Sequence, residues 1–248
     1  MDSEITYYRQ LQEHLDKLPI GYPKTDSGVE IRILQLLFTP IEVKVALCLS
    51  LGNASVETVR KRLEKKFRIS YETEKVARML HDMFMKGAIN RSGAEPFKYS
   101  NAMLAIGMFE HQLGDLTVEM VELMHQYFDE GFDDEFFRSS LPQLRTSPHM
   151  KAIVPEFKIA TYDNIRKIVE KTDKSIQVAN CVCKEGEAIL GKPCKQTKDI
   201  EVCLMFDAKS YLDRGKARTI TKEECMEIIN RAEREGLVLQ PGNSLQPF

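Results

Sequence analysis

The sequence predicts an α+β protein with a helical N-terminal part and a smaller, mixed C-terminal part. Two observations predict this class. Between residues 41 and 100, three segments place apolar side chains at helical spacing, and a segment typical of a hairpin follows them. Between residues 149 and 248, short apolar runs alternate with helical segments. The chain has 248 residues, 43% of them hydrophobic and 29% charged, which is enough apolar material for a packed core.

Composition and charge exclude several classes of protein. No apolar run approaches the roughly 18 residues that span a bilayer, and the start MDSEITYYRQ lacks the basic and apolar regions of a secretory signal. We therefore expect a cytoplasmic protein without a membrane span. The formal net charge of −2 favours neither nucleic acid nor an anionic membrane as partner. Residues 41–100 nevertheless carry 12 Lys and Arg against 7 Asp and Glu, a local surplus of +5.

The N-terminal elements follow from apolar spacing and turn formers. Residues 1–40 predict an arm of two helical pieces joined by LPIGYPKTDSG, with the second piece ending at Pro40. Residues 41–100 predict three helices, the second capped by Ser55, and then two short strands in AINRSGAEPFKYS. Three helices followed by a small hairpin are the order of a winged-helix domain. We therefore expect a winged-helix-like domain over this range.

The rest of the chain predicts a helical connector and a mixed domain. Residues 101–148 are mostly helical at first and run into a linker with two prolines at 139–149. Residues 149–248 predict a short strand in MKAIVPE, a strand in SIQVANCVC that carries two cysteines, and a strand in EVCLMF. A well-marked helix follows, with Thr221 as N-cap and Glu224 completing a capping box.

The cysteines are the most informative feature of the sequence. Four of the six form the pattern C-x-C-x10-C-x8-C, and they are Cys181, Cys183, Cys194 and Cys203. In a cytosolic chain such crowding indicates metal or redox chemistry rather than structural disulfides. Thiolates suit iron–sulfur clusters, zinc or copper(I). The spacing matches neither paired C-x2-C zinc knuckles nor the ferredoxin run C-x2-C-x2-C-x3-C, so a cluster, zinc and no metal all remain open, in that order of preference.

A cluster needs shielding from water and hydrogen bonds to its sulfur atoms. We expect N–H donors from a loop over Lys184–Gly191. We expect an apolar collar from Val182, Ile189, Leu190, Pro193, Leu204 and Phe206.

The segment that begins CVCKEGEAILGKPCKQTKDIEVCLMF and ends REGLV resembles a module of multidomain iron–sulfur proteins from anaerobic bacteria and archaea. Upstream, LPIGYPKTDSGVEIRILQLLFTPIEVKVALCLS and GMFEHQLGDL resemble the matching N-terminal half, so the resemblance covers most of the chain. It implies a 4Fe–4S cluster, electron transfer in an anaerobic redox system, and a redox partner protein or a downstream ferredoxin-type domain. The ligands that it implies are Cys181, Cys183, Cys194 and Cys203.

Three positions depart from this family pattern. Lys184 stands where the family usually has Arg, Ala217 precedes Arg218 where Gly-Arg is common, and Cys225 stands where the family usually has Ala. We expect Cys225 to be a buried helix residue and not a further ligand.

Two other functions stay in view: a redox-sensing winged-helix transcription regulator, and a zinc-stabilised interaction module. A basic run lies on the second predicted helix of the winged-helix region: Arg60, Lys61, Arg62, Lys65, Lys66 and Arg68. The third helix, which should enter the major groove, has three basic residues against three acidic ones and no net charge. DNA binding is therefore disfavoured. A second copy of the chain is another expected partner. No catalytic set is recognised, so we expect an electron carrier or a subunit of an oxidoreductase rather than an independent catalyst.

Overall fold

The computed structural model describes residues 2–138, Leu144 and 165–242. The chain divides into two compact units, Met1–Arg138 and Ser139–Phe248. Both units combine helices with a three-stranded antiparallel sheet, so the protein is of mixed α and β structure, as predicted. The predicted linker at 139–149, apart from Leu144, and the predicted strand at 150–156 lie outside the described residues.

The first unit contains seven α-helices and three strands in its described residues. The helices are α1 (Asp2–Leu15), α2 (Val29–Leu37), α3 (Pro40–Ala46), α4 (Val56–Phe67), α5 (Thr73–Met85), α6 (Val118–Tyr127) and α7 (Asp133–Phe137). The strands are β1 (Ala54–Ser55), β2 (Ile89–Ser92) and β3 (Lys98–Asn101).

The three strands form a sheet in the order β1-β3-β2. Ala54 of β1 pairs with Tyr99 of β3, and Ile89 of β2 pairs with Asn101 at the other edge of β3. The predicted N-cap of α4 is present, since the Ser55 hydroxyl accepts a hydrogen bond from the backbone N–H of the third residue along. Along the chain, the order from α3 is helix, strand, two helices and two strands.

The first forty residues pack into the core of this unit. Helix α2 contacts both α1 and α6, and its Ile33 and Leu34 are fully buried. The loop between α1 and α2 is held by hydrogen bonds. Tyr22 donates its hydroxyl to the Glu30 carbonyl at 3.0 Å, and Tyr127 of α6 donates its hydroxyl to the Pro23 carbonyl at 2.8 Å. Buried hydroxyl groups are hydrogen-bonded in native proteins, because an unpaired one is destabilising. The Tyr22 bond satisfies its hydroxyl within the loop and α2, and the Tyr127 bond attaches the loop to α6.

A buried carboxylate supports the same loop. The side chain of Glu30 is inaccessible to solvent, and its Oε1 lies 2.8 Å from Nη1 of Arg9 on α1. The Thr25 hydroxyl donates to the other carboxylate oxygen. Oε1 has no aligned hydrogen bond, because the Arg9 group that approaches it donates to Gln12 instead. The positive charge of Arg9 therefore compensates the buried carboxylate of Glu30 electrostatically. The two side chains do not form the bidentate hydrogen-bonded pair that arginine often makes with a carboxylate.

The second unit places helices and a sheet around a small core. Its elements are α8 (Ile165–Lys171), β4 (Ile176–Asn180), α9 (Val182–Ile189), β5 (Glu201–Phe206), α10 (Lys209–Asp213), β6 (Ala217–Ile220) and α11 (Lys222–Arg234). The strand order is β5-β4-β6. The core cluster contains Val169, Ile176, Val178, Ile220, Cys225, Ile228 and Ile229.

Helix α11 has the predicted N-cap, and an ion pair joins it to α8. The Thr221 hydroxyl accepts from the Glu224 backbone N–H at 3.1 Å. The Glu224 carboxylate, which we predicted to complete a capping box, instead accepts from Arg218 of β6 at 2.6 Å. Arg166 of α8 reaches Glu233 of α11 with an N···O distance of 2.6 Å. These polar contacts fix α11 against both β6 and α8 at the rim of the core.

Candidate functional site

Cys181 lies where β4 gives way to α9. It is the N-cap residue of α9 with extended backbone angles, and its backbone N–H donates to the Ile200 carbonyl at 2.6 Å. Its pKa is lowered to about 6, first by a side-chain hydrogen bond from Cys183, and then, against the effect of burial, by the backbone N–H groups of Lys184 and Cys183. A helix N-terminus favours negative charge, so this thiol is largely a thiolate at neutral pH.

Cys183 belongs to the first turn of α9 and its side chain is exposed. We predicted that one strand would carry both cysteines of the C-x-C pair, and this is wrong, because β4 ends at Asn180, before Cys181 and Cys183. The loop predicted over Lys184–Gly191 is also wrong, since most of that range is helical. The helix start instead turns the two thiols toward each other, and they share a hydrogen bond.

Cys194 lies in the segment between α9 and β5 and contacts α9 through Lys184. The Lys184 ammonium donates to Cys194 Sγ at 3.0 Å. This bond, followed by backbone N–H groups of Thr197 and Gln196, lowers the pKa of Cys194 to about 7. Lys184 also acts electrostatically on Cys181. One ammonium group therefore faces two of the four predicted ligands, a role that we did not predict from sequence.

Cys203 is exposed on β5, where it pairs with Ala179 of β4. Its neighbour Leu204 pairs with Val178 and packs on the core of the second unit. Because side chains alternate between the faces of a sheet, Cys203 points away from that core, on the same face as Ala179. Cys181 comes directly after the last residue of β4, beyond a register shift between Ala179 and Asn180.

The shielding that we predicted for the cysteines is only partly present. Val182 is buried, but Ile189 is 36% exposed. Leu204 and Phe206 pack against the core cluster, on the opposite face of the sheet from Cys203. Two thiols, those of Cys183 and Cys203, are exposed. The four cysteines therefore lie at an accessible surface of the second unit and not inside an apolar pocket.

The described residues hold no group of three or more His, Cys, Asp or Glu side chains arranged to bind a metal ion. What the fold does bring together is a hydrogen-bonded pair, Cys181 and Cys183, with Cys194 joined to α9 through Lys184 and Cys203 on the adjoining strand. The donor chemistry fits a soft metal or an iron–sulfur cluster, since two of the thiols have lowered pKa values and thiolates are the binding form.

The two remaining cysteines are of a different kind. Burial raises the pKa of both Cys48 and Cys225 to about 11. Cys225 belongs to the core cluster of the second unit, in agreement with the prediction that it is a buried helix residue. Neither thiol has the properties of a ligand or of a nucleophile.

The basic run on α4 is largely engaged within the first unit. Arg60 contacts Glu57 at 2.8 Å, and Lys61 approaches the same carboxylate at 3.6 Å. Arg62 donates to the Cys48 carbonyl at 2.8 Å and Lys66 to the Leu47 carbonyl at 3.3 Å. Most of the charge that suggested a nucleic-acid footprint in the sequence therefore has a partner inside the protein.

Comparison of the chain with protein-family models, with curated proteins and with solved structures finds no match. Among the residues that the structure describes, none of the helices combines the length and the apolar character that crossing a membrane requires.

Proposed function

We propose that the second unit binds a 4Fe–4S cluster through Cys181, Cys183, Cys194 and Cys203 and that the protein transfers electrons. The observation that carries this proposal is the placement of the thiols. Cys181 and Cys183 are hydrogen-bonded at the start of α9, directly after β4, and Cys203 lies on β5, which pairs with β4. All six cysteines are described and free of disulfides, so the four thiols are available as ligands.

The residues of the second unit have distinct parts in this proposal. When bound, the cluster supplies a redox couple whose potential depends on charge, hydrogen bonds to sulfur and exposure. The backbone N–H groups at the start of α9 stabilise the Cys181 sulfur, and the Lys184 ammonium stabilises the Cys194 sulfur at 3.0 Å. Donors and positive charge near the ligands favour the more reduced, more negative state of the site.

The exposure of Cys183 and Cys203 supports a carrier rather than a catalyst. With both thiols at the surface, a redox partner protein or a ferredoxin-type domain can approach the ligands closely. Four protein ligands also leave no site on the metal open for substrate. We therefore propose an electron carrier, or an electron-transfer subunit of an oxidoreductase.

The test is anaerobic purification of the full chain, followed by absorption spectroscopy and assays of iron and acid-labile sulfide. The expected result is a brown protein with iron and sulfide in about equal amounts, as the cluster composition requires. Cys194→Ser should lose most of both. The matched control is Cys225→Ala, which removes a core thiol of the same unit and should keep them.

Circular dichroism of each variant separates loss of the cluster from loss of the fold. Zinc without sulfide would support the zinc-stabilised interaction module instead. Colourless protein with neither metal, purified without oxygen and still folded, would refute the cluster.

For the first unit we propose a winged-helix fold. The chain order α3-β1-α4-α5-β2-β3 and the sheet order β1-β3-β2 support it. Helix α5, which occupies the position of a recognition helix, carries Lys75, but its ammonium lies 3.8 Å from the centre of the Tyr71 ring rather than standing free. This supports a docking module over a duplex reader. Salt-sensitive binding of duplex DNA that changes on cluster loss would instead favour the transcription regulator.

A further inference from the structure

The positive charge of the second unit is concentrated in the segment that contains Cys194. Residues 190–198 carry three lysines and no acidic residue, and the lysines are Lys192, Lys195 and Lys198. The described residues on either side, 165–189 and 199–242, carry 12 Lys and Arg against 13 Asp and Glu, so together they are nearly neutral. We call residues 190–198 the lysine segment.

The three lysines are exposed, and their charges are not balanced within the unit. Among the described residues they form no ion pair, whereas other basic side chains of this unit do. Arg166 pairs with Glu233 at 2.6 Å, and Arg231 pairs with Asp199 at 2.6 Å. Asp199 directly follows the lysine segment, and because Arg231 already neutralises it, it does not offset the charge of the lysines.

The lysine segment lies at the proposed cluster site. Its backbone turns around the sulfur of Cys194, because the N–H groups of Gln196 and Thr197 both donate to Cys194 Sγ. Two residues of extended chain span at most about 7 Å, so the Cα atoms of Lys192 and Lys195 lie within that distance of the Cα atom of Cys194. The unpaired charges therefore border the ligands through which an electron would enter or leave.

We propose that the lysine segment docks an acidic redox protein, which exchanges electrons with the cluster; this inference rests on the electron transfer proposed above. Three charges are few for a nucleic acid, since duplex-binding proteins make on the order of 6 to 10 phosphate contacts. Electron-transfer complexes are instead small and short-lived, and opposite charges mainly speed the encounter of the two proteins. A short basic segment beside the exposed thiols of Cys183 and Cys203 fits a complex of that kind.

The experiment is stopped-flow oxidation of the dithionite-reduced full chain by two acceptors of opposite charge, acidic plastocyanin and basic cytochrome c. One electron passes from the reduced cluster to the Cu(II) of plastocyanin, giving Cu(I), or to the ferric haem of cytochrome c, giving ferrous haem. The variants are Lys192→Glu and Lys198→Glu, made singly and checked for unchanged colour and circular dichroism.

The two acceptors should respond in opposite directions. Charge reversal removes attraction and adds repulsion, so in about 0.1 M salt we expect each variant to lower the plastocyanin rate constant about threefold or more and to raise that of cytochrome c. A change in the potential of the cluster would move both rate constants in the same direction. Opposite changes therefore identify an effect of charge on docking.

The control is Lys171→Glu, which makes the same change of charge at an exposed position of α8. Helix α8 contributes Val169 to the core cluster, so it packs on the opposite side of the sheet from Cys203. We expect this variant to change either rate constant less than about twofold, because charges beyond a Debye length of roughly 10 Å are screened at about 0.1 M salt.

Several results would overturn the proposal. They are equal changes in Lys171→Glu and the two variants, changes of the same sign with both acceptors, and a plastocyanin rate constant that does not fall between about 0.1 M and 1 M salt. Phosphate that slows plastocyanin far more than chloride does at equal ionic strength would indicate a phosphate site instead. In brown protein these results refute the docking alone, whereas colourless protein refutes the cluster and the docking together.

Discussion

Replacing Lys184 by Met should raise the pKa of Cys194 in cluster-free protein. The ammonium of Lys184 lies 3.0 Å from Cys194 Sγ and is the largest cause of the lowering of this pKa from 9.0 to about 7. Methionine keeps the length of the side chain and removes both the charge and the donor. The backbone N–H groups of Thr197 and Gln196 stay, so we expect the pKa to rise by about one unit rather than to return fully to 9.0.

The magnitude decides which observable to use. A thiol with a pKa near 7 is about half ionised at pH 7, and one with a pKa near 8 is about one tenth ionised. The more basic thiolate is also more nucleophilic, by roughly threefold per pKa unit, which offsets most of the loss of rate at a single pH. The midpoint of alkylation rate against pH is free of this compensation, and it should move from about 7 to about 8.

The assay is a timed pulse of iodoacetamide on chelated, oxygen-free protein over a range of pH, with each cysteine quantified by peptide mass spectrometry. Cys48 and Cys225 serve as internal controls, because their burial and a pKa of about 11 should keep them unlabelled while the protein is folded. The matched variant is Lys195→Met, which removes the same charge from the exposed neighbour of Cys194. An unchanged midpoint in Lys184→Met, or an equal shift in both variants, would refute the assigned role of Lys184.

Two further predictions concern the stability of the first unit, measured by urea unfolding. Glu30→Gln should destabilise the unit by about 2 to 3 kcal/mol, at or below the usual cost of breaking a buried ion pair. The cost is at the low end because Arg9 is 29% exposed and the amide oxygen of glutamine can still accept from the Thr25 hydroxyl. A loss of stability below about 0.5 kcal/mol, typical of a surface substitution, would contradict a structural ion pair. Gly87→Ala should lower the free energy of unfolding by several kcal/mol more than Gly93→Ala. Both glycines have positive φ, but only at position 87 would the added methyl carbon lie 2.5 Å from Cβ of His111. Equal losses of stability in the two variants would contradict that close approach.

Local sequence signals predicted the elements well and the thiol site incompletely. The N-caps Ser55 and Thr221 act within three residues of themselves, so the helices that follow them could be placed from sequence alone. The start of α9 had no such signal. Cysteine is not a preferred N-cap, and a C-x-C pair fits a strand as well as it fits the step from Cys181 into the first helical turn at Cys183.

The surroundings of the thiols show which part of the site was predictable. Alternation along β5 places Cys203 and Leu204 on opposite faces of the sheet, so the pattern of the strand already argued against Leu204 as a shield for the thiol beside it. The contact between Lys184 and Cys194 is different. It joins residues ten positions apart across the end of a helix, and no spacing rule fixes the path of the segment after α9.

The charge on α4 shows why a count of basic residues is a poor guide to a binding surface. Glu57 lies three and four residues before Arg60 and Lys61, so their pairing follows from helical spacing alone. The bonds of Arg62 and Lys66 to α3 depend on tertiary packing and leave no trace in the sequence. A count of basic residues in the sequence therefore overstates the charge that is left for a partner. A surplus of +5 between residues 41 and 100 is thus not by itself the extended footprint that a nucleic acid requires.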